Sequence, residues 1–328
     1  MAFRLKLVPD NTKIDFLRWQ VPTFGLSVVL SVISVVLMLV MGMNYGIDFK
    51  GGTTIRTESS QPVDIGAYRQ AMSPLNLGDV TITEVFDPTF RADQNVALVR
   101  ISAQEGLEAV TPETINAVEA ALQEVDPSIT FPSVESVGPK VSGELINTAI
   151  YSVLAALVGI SAYIWMRFEW QFAVGAMLSL AHDVLVTLGL FALFQLKFDL
   201  TTIAALLTIV GYSINDTVVV FDRLRENLIK YKTRPLRDLI NLSVNETLSR
   251  TIITSGSTLM VLVIMIFLGG DVIREFVLAI AFGILIGTYS SIYVAKNLVL
   301  WLGVRRDWGK KDEAKKNASP FSGAEESP

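Results

Sequence analysis

The chain has 328 residues, of which 51% are hydrophobic and 18% are charged, below the roughly one quarter of charged residues typical of soluble domains. The absence of cysteine excludes disulfides, thiolate metal sites and cysteine nucleophiles, and a single histidine argues against a zinc site. The net charge of −5 says little about partners, because it averages over segments of opposite sign that lie between long uncharged runs.

Six apolar segments are long enough to cross a membrane, which takes about 20 residues of helix. The first segment is longer than the apolar core of a signal peptide, so we interpret it as a retained anchor. Together the segments predict a polytopic α-helical membrane protein with six transmembrane helices at residues 21–43, 145–166, 171–194, 200–221, 251–268 and 276–303.

The placement of lysine and arginine predicts the orientation of these spans, since cytoplasmic loops carry an excess of both residues. With residues 1–20 in the cytoplasm, the cytoplasmic loop 223–250 is rich in both, whereas the two short outer loops carry only Lys197 and Arg274. Both termini are therefore predicted to be cytoplasmic. The charged, proline-bearing tail at 304–328 is predicted to be disordered.

Residues 44–143, between the first and second spans, have the pattern of a soluble domain. Thr111 can cap a helix with Pro112 at its first position, although Thr114 at the third position leaves the capping box incomplete. Acidic residues outnumber basic ones, which suits a solvated, periplasmic surface. The order β-α-β-β-α-β predicts an inserted α+β domain of ferredoxin-like topology, with strands at 52–58, 79–86, 95–102 and 129–137, a first helix at 63–72, and a turn through Asp87 and Pro88.

Ionisable and polar residues inside the predicted spans are the main functional signal. A charge at mid-bilayer costs from about 3 to more than 10 kcal/mol, so it needs a partner or a function. Small and polar residues also recur with helical spacing on three spans, and such stripes face a bundle interior or a partner protein rather than lipid. The stripes are Gly175, Ser179, Asp183 and Thr187; Thr208, Gly211 or Tyr212, Asn215 and Asp216; and Arg250, Thr254, Ser257 and Thr258.

Each candidate also has a structural interpretation. Arg250 could be a positive-inside anchor at a helix start, His182 could donate to a backbone carbonyl, and Asp183 could be a packing contact neutralised by protonation. Asp216 lies inside the apolar run with Asn215 beside it, which favours a functional role. Asp222 lies at the membrane edge and is most simply a solvated end.

Two further patterns concern packing. A small residue at every fourth position of the sixth span predicts a close helix-helix contact through Ala279, Gly283, Gly287, Ser291 and Ala295. After Pro235 the loop 223–250 predicts one amphipathic helix. The apolar stripe of this helix consists of Leu236, Leu239, Ile240 and Val244. The stripe could lie at the membrane surface, or the loop could be a simple positive-inside linker.

Five strings occur in order along the chain: YGIDFKGGT at 45–53, VGPKVSG at 137–143, LAHDV at 180–184, GYSINDTVVVFDRLRE at 211–226 and SRTIITSG at 249–256. Together they resemble the SecD/SecF family of protein-export subunits over about residues 16–303. Lys50 departs from the family pattern, which has a small or hydroxyl residue there. The signature residues of the first string fall at the hinge between the first span and the inserted domain: Gly46, Asp48, Gly51 and Gly52.

The resemblance implies a non-enzymatic subunit of the Sec protein-export machinery in the bacterial inner membrane, with protons as the coupling ion and no other cofactor or metal. It implies SecD, a homologous six-helix subunit, as a partner, together with the SecYEG channel, YajC, membrane lipid and an unfolded preprotein as substrate, but no nucleic acid. The family is thought to use the proton gradient to draw the emerging preprotein outward. Its ionisable pair falls on Asp216 and Arg250.

We assign the proton relay to Asp216, Arg250, Asp183, His182 and Asn215, and the lining of a polar path to Thr254, Ser257 and Thr208. Two functions of other classes compete with this assignment. A proton-coupled small-molecule exporter of the same resistance-nodulation-division superfamily is disfavoured by the half-size length and the single small outer domain. An intramembrane aspartyl protease using Asp183 and Asp216 is disfavoured because a GxGD motif is lacking.

Overall fold

The computed structural model describes residues 12–85, 90–91, 93–102 and 110–304. The predicted turn through Asp87 and Pro88 and the predicted disordered tail from 305 onward lie outside these residues. The helices are α1 (Gln20–Val40), α2 (Ile47–Lys50), α3 (Ile65–Met72), α4 (Pro112–Val125), α5 (Pro139–Arg167), α6 (Trp170–Phe194), α7 (Leu200–Lys230), α8 (Leu236–Leu268), α9 (Asp271–Ser290) and α10 (Lys296–Leu302). The strands are β1 (Asn44–Tyr45), β2 (Gly52–Ser59), β3 (Val80–Val85), β4 (Asn95–Ser102), β5 (Thr130–Val137) and β6 (Lys197–Phe198).

The inserted domain has the predicted α+β topology. Its sheet has the order β3-β4-β2-β5 with antiparallel neighbours, and α3 and α4 pack against it around a core that includes Ile55, Val99 and Leu122, each 0% exposed. Asp64 accepts from the backbone N of Ala67 and so starts α3 two residues later than predicted. The predicted cap of α4 is confirmed, since Thr111 Oγ1 accepts from the backbone N of Thr114 at 3.3 Å.

Six stretches of helix in the described chain are long and apolar enough to span a membrane, which confirms the predicted number of spans. The helices α6, α7 and α9 form the centre of the bundle and are about half buried, whereas α1, α5 and α8 leave most of their surface exposed. The end of the bundle next to the inserted domain is called the domain end below, and the opposite end is called the far end.

The sixth span crosses α7 at very short range. A β-carbon on Gly283 would lie 2.4 Å from Cδ1 of Ile209, and one on Gly287 would lie 3.0 Å from Oγ of Ser213. Only glycine allows α7 and α9 to approach this closely, which is the physical purpose of small residues in membrane helix contacts. Ser291, from the same predicted stripe, is 0% exposed and begins a π-helical segment, Ser291–Ala295, that precedes α10.

The predicted helix after Pro235 is confirmed, but residues 223–250 do not form a loop between two separate spans. The helix α7 continues to Lys230 and α8 already begins at Leu236, so residues 231–235 alone connect the two helices. The stripe predicted to lie at the membrane surface is instead buried, because Leu239 and Ile240 pack with Leu17 and Leu228 in one apolar cluster. The two spans therefore extend as a helical hairpin at the far end. The basic residues on its surface give this part of the sequence the composition of a loop.

Candidate functional site

Asp183 lies in a buried hydrogen-bond group that joins three helices. Its exposed fraction is 0%, and its Oδ2 accepts from Oγ of Ser213 on α7 at 2.6 Å and from Oγ of Ser290 on α9 at 2.8 Å. Its Oδ1 lies 3.0 Å from Nδ1 of His182, whose Nε2 has no partner among the described residues. Since an unpaired charge is very costly to bury, these contacts are what allow a carboxyl group at this depth.

Asp216 lies one turn beyond Ser213 on α7 and belongs to a second group, which adds α8. Asp216 is 3% exposed, and its Oδ2 accepts from Oγ of Ser255 on α8 at 3.2 Å. Oγ of Ser255 in turn accepts from Oγ1 of Thr288 on α9 at 2.9 Å. The two carboxyl groups thus lie in neighbouring polar groups, and α7 and α9 contribute a side chain to each.

The structure separates Asn215 from Asp216. Successive residues of an α-helix point about 100° apart, so only one of two neighbours can face the bundle centre. Asp216 faces inward, whereas Asn215 is on the exposed side of α7 with Thr208. Asn215 therefore does not belong to the buried carboxylate groups, and no hydrogen bond of its side chain joins it to another described residue.

The predicted path-lining hydroxyls also lie away from Asp216. Each donates to the backbone of its own helix, Thr208 to Ala204 O, Thr254 to Arg250 O and Ser257 to Thr254 O. Ser255, which sequence analysis did not select, is the α8 residue that contacts the carboxylate. The predicted stripe on α8 was displaced by about 100° from the face that is buried.

Arg250 makes no ion pair with Asp216 in this structure. It is exposed near the far end, and no described carboxylate lies within ion-pair distance of its guanidinium group. Glu246, one turn earlier on α8, instead accepts from Nε of Arg223 at 2.7 Å and from Nδ2 of Asn227 at 2.7 Å. Among the described residues, Arg250 therefore has no carboxylate within ion-pair distance.

A cavity of about 450 Å³ opens beside Arg250 between α5, α7 and α8. Asp222, predicted to be a solvated end, pairs across it with Arg167 at 3.1 Å. The lining therefore combines equal numbers of arginine and carboxylate side chains at the far-end mouth of the bundle: Arg167, Arg223, Arg250, Asp222, Glu226 and Glu246.

Lys296 is a buried cation that sequence analysis missed. It follows the π-helical segment, is 0% exposed, and its Nζ lies 5.0 Å from the ring centroids of both Phe16 and Tyr293. Its Nζ has no hydrogen-bond partner among the described residues, and the two rings lie at cation-π distance from it. The detectable signal was a lysine inside the last apolar run.

The buried serines were missed for a different reason. Ser213, Ser255 and Ser290 are common residues in membrane helices and give no signal in isolation. Their selection required knowledge of which helices are neighbours, although Ser213 could have been noticed three residues before Asp216. Within the described residues, no three His, Asp or Glu side chains come together as a metal site would require.

The signature residues lie at the domain end. Gly46 precedes α2, Asp48 lies within α2, and Gly51 and Gly52 connect α2 to β2 with φ of 72° and 128°. Lys50, which departs from the family pattern, is the last residue of α2 and is exposed. This segment is folded and contacts the α6–α7 connection through the pairing of β1 with β6.

Comparison with known proteins agrees with this architecture. The family described as "Protein export membrane protein SecD/SecF, C-terminal" matches residues 117–305, and the SecD/SecF GG motif matches residues 36–63. Protein translocase subunit SecF of Cereibacter sphaeroides is 68% identical over 313 residues, which cover 95% of this chain and 96% of the relative. Protein translocase subunit SecDF of Brucella abortus is 40% identical over 92% of this chain.

Among solved structures, the SecDF crystal structure from Thermus thermophilus has a TM-score of 0.80 and 36% sequence identity over 90% of this chain. The chain spans 39% of the length of each of these two SecDF proteins, so it corresponds to one part of a longer fused chain. By its matched residues, its identity to SecF relatives and its fold, the chain belongs to the SecD/SecF family of protein export membrane proteins.

Proposed function

We propose that this chain is the SecF-type accessory subunit of bacterial Sec protein export, and that it couples proton movement through its helix bundle to the outward movement of an unfolded preprotein. The names of its relatives, protein translocase subunit SecF and SecDF, support the export role. The role is that of an accessory component rather than an enzyme, and protons are its only coupling agent.

A SecD partner is supported by the fused SecDF relatives. The exposed polar side chains in the middle of two spans also support a partner subunit, because polar groups that face lipid are costly. Thr208 and Asn215 of α7 and Ser257 of α8 lie on such surfaces. A second polytopic subunit packed over α7 and α8 would cover them and would give the Asn215 amide a partner.

The wider assembly follows from the same role. We place the chain in the bacterial inner membrane, with the inserted domain in the periplasm and both termini in the cytoplasm, as the distribution of lysine and arginine indicates. The SecYEG channel and YajC complete the proposed machinery. The far-end cavity beside Arg250 then faces the cytoplasm.

The observation that carries the proposal is the buried Asp216 carboxyl group, whose contacts come from other helices. An ionised carboxylate can only accept hydrogen bonds, whereas a protonated one also donates. A proton taken up on Oδ2 would make Asp216 a donor toward Ser255, so that Ser255 and Thr288 reorient and the packing of α8 and α9 against α7 changes. Loss of the proton creates a buried charge on α7, and in this proposal Arg250 of α8 moves toward it and neutralises it.

Proton entry and release can use groups at different depths. Asp183 with His182 forms the second buried group, which shares α7 and α9 with the first. The cavity of about 450 Å³ at the far end provides an aqueous exit beside Arg250. Each elementary charge that crosses the membrane supplies about 2.3 kcal/mol per 100 mV, enough to shift a two-state packing equilibrium.

The proposal is tested by measuring preprotein export into inverted inner-membrane vesicles that contain the chain with its SecD partner. Export is compared with and without an uncoupler that collapses the proton gradient, in vesicles with and without the chain. We expect the gradient-dependent part of export to be present only when the chain is present. Equal stimulation by the gradient in both kinds of vesicle would refute the coupling role.

The competing functions receive no support from the site. Asp183 and Asp216 have different hydrogen-bond partners, so they do not form the shared-proton pair that an aspartyl protease needs. The exporter alternative needs a substrate duct, and the cavity of about 450 Å³ instead lies at the far-end mouth among charged side chains.

A further inference from the structure

The first turn of α7 is capped by a residue from another part of the chain. The backbone N of Leu200 donates to Oδ2 of Asp48 at 3.0 Å, across 152 positions of sequence. The helix's own capping residue, Asp199, accepts from the backbone N of Thr202 at 3.1 Å and does not accept from the first N–H of the helix, that of Leu200. The first N–H groups of any helix need partners, and carboxylates stabilise the positive end of its dipole.

Backbone pairing fixes Asp48 in this position. The strands β1 and β6 pair in parallel, with Asn44 opposite Lys197, and the backbone N of Gly46 donates to Phe198 O at 2.8 Å. A β-carbon on Gly46 would lie 3.0 Å from Cε of Lys197 and 3.2 Å from Cβ of Asp199. The signature segment therefore lies directly against the connection between α6 and α7, at a distance that glycine permits.

Aromatic rings stiffen the same contact. The ring of Phe198 lies 5.9 Å from that of Tyr45, 5.4 Å from that of Phe49 and 6.3 Å from that of Phe191, measured between centroids. Such ring pairs stabilise a contact beyond the burial of their surface. The α2 segment and the start of α7 are therefore packed together by backbone pairing, a hydrogen bond and ring contacts.

The other end of α2 leads straight into the inserted domain. Gly51 alone separates α2 from β2, and β2 is a central strand that pairs with both β4 and β5. Asp216 lies on the same helix as Leu200, about 24 Å further along the axis of α7 at 1.5 Å per residue. A rigid α7 with α2 attached thus connects the buried carboxylate to the sheet.

We propose that Asp48 is a positioning residue that transmits movement of α7 to the inserted domain by holding the first N–H of the helix. The proposal rests on the proposed function, in that movement of α7 follows the protonation of Asp216. It assigns the mechanical connection to the α6–α7 junction, in addition to the covalent connections through α1 and α5.

The test uses the full chain assembled with its SecD partner in vesicles, and variants Asp48→Ala, Asp48→Asn and Gly46→Ala. Because the chain contains no cysteine, cysteines for spin labels can be introduced at exposed Asn116 of α4 and exposed Thr233 at the far end without background from the chain itself. Three quantities are measured: gradient-dependent export, proton conductance of the complex, and the label-to-label distance with native Asp216 and with Asp216→Asn.

We expect Asp48→Ala and Gly46→Ala to lose gradient-dependent export and the change in label distance, while assembly and proton conductance persist. Asp48→Asn should retain both, because the amide oxygen still accepts from Leu200 N. The matched control is Asp64→Ala, which removes a helix cap inside the inserted domain and should leave the distance change intact.

A distance change in Asp48→Ala equal to that of the native chain would overturn the proposal. Loss of assembly or proton conductance in both Asp48→Ala and Gly46→Ala would also overturn it, because the contact would then be structural. A defect in Asp48→Asn as large as in Asp48→Ala would exclude the hydrogen bond as its basis. If instead Asp216→Asn supports normal gradient-dependent export in the native background, the proposed function fails, whatever the Asp48 variants do.

Discussion

Both the inserted domain and the helix bundle contain buried aspartates held by serine hydroxyls, but the donors come from different places. In the domain, Asp126 accepts from the backbone N of Ser128 at 2.8 Å, from Oγ of Ser128 at 2.7 Å and from Oγ of Ser59. In the bundle, Asp216 accepts from a hydroxyl on another helix, and the described structure shows it no backbone donor. The first group is built largely within one turn, and the second bridges separate helices.

The origin of the hydrogen-bond donors distinguishes a structural carboxylate from one whose protonation can change the helix packing. Burial opposes ionisation of Asp126, but the hydrogen bonds from Ser59 and Ser128 outweigh it and hold the pKa of this group below its ordinary value of 3.8. Asp126 is therefore charged at neutral pH, and its donors come from the adjacent turn at Ser128 and from Ser59 of β2 in the same folded domain. The donors of Asp183 and Asp216 lie on other helices of the bundle. A change in the protonation of either carboxyl group can therefore change the packing of these helices.

The largest effect is expected for Asp216→Asn. Asparagine keeps the size and the oxygen that accepts from Ser255 but cannot exchange a proton near neutral pH. We expect gradient-dependent export to be abolished while assembly with the partner persists, as measured in inverted vesicles and by co-purification. The matched control is Asp222→Asn on the same helix, where the carboxylate is about half exposed in an ion pair with Arg167. An equal loss in the control would remove the distinction between buried and exposed carboxylates.

Arg250→Lys should have the next largest effect. Lysine keeps the positive charge but loses the planar fork that can bind a carboxylate through two nitrogens. We expect gradient-dependent export to fall substantially but less than in Arg250→Ala, and the stability of the chain to be unchanged, because Arg250 is exposed and unpaired in this structure. Equal activity of all three proteins would show that Arg250 is only a membrane anchor.

Removal of the Asp183 acceptor should destabilise the bundle. Asp183→Ala leaves the hydroxyl of Ser213 without its acceptor, and a buried unsatisfied donor costs about 1–3 kcal/mol. Ser290 suffers less, because its hydroxyl also reaches Gly287 O at 3.1 Å. Thermal unfolding of the purified chain in detergent measures the loss, and Ser213→Ala in the same background should recover part of it. Additive losses in the double variant would mean that the two side chains do not interact.

The close crossing of α7 and α9 gives a prediction about packing alone. Gly283→Ala places a methyl group against Ile209, and overpacking of this kind costs about 1–3 kcal/mol. Thermal unfolding should show a lower midpoint for Gly283→Ala. Gly159→Ala on α5 is the control, since no described atom lies within 4 Å of its added β-carbon. The idea of a close contact is wrong if the two variants unfold alike.

The smallest effect is expected in the inserted domain at low pH. Because the folded-state pKa of Asp126 lies below its ordinary value of 3.8, its contribution to stability is present above that value and is lost as pH falls through the folded-state pKa. Amide hydrogen exchange in β2 and α4, corrected for intrinsic rates, should therefore show opening as pH falls below about 4. In Asp126→Asn this pH dependence should flatten. An unchanged profile would show that the group is not charged in the folded domain.

The two regions also differ in how far sequence could predict them. In the inserted domain, period-two patterns and caps act locally, so β4 was predicted with its observed bounds and Thr111 was identified as the cap of α4. In the bundle, apolar runs gave the number of spans. They could not show which side of α7 faces inward, and this is why Asn215 was grouped with Asp216.

The missed features share one property, which is that they depend on contacts between distant parts of the chain. Ser255 gains significance only beside Asp216, and Asp48 only beside Leu200. Residues 223–250 were predicted as a basic loop with one helix after Pro235, whereas they form the end of a helical hairpin whose buried face packs against Leu17 of the N-terminal segment. Period and composition describe one element at a time, so they cannot report such pairs.

The most direct test of the account is the protonation state of Asp216 itself. Infrared difference spectroscopy on the complex with its SecD partner can follow the carboxyl stretching band while pH or the proton gradient is changed, with Asp216→Asn identifying the contribution of this group. We predict a protonated-carboxyl band that appears and disappears in the native chain and is absent from the variant. A difference spectrum that is the same in both proteins would contradict the claim that Asp216 exchanges a proton during export.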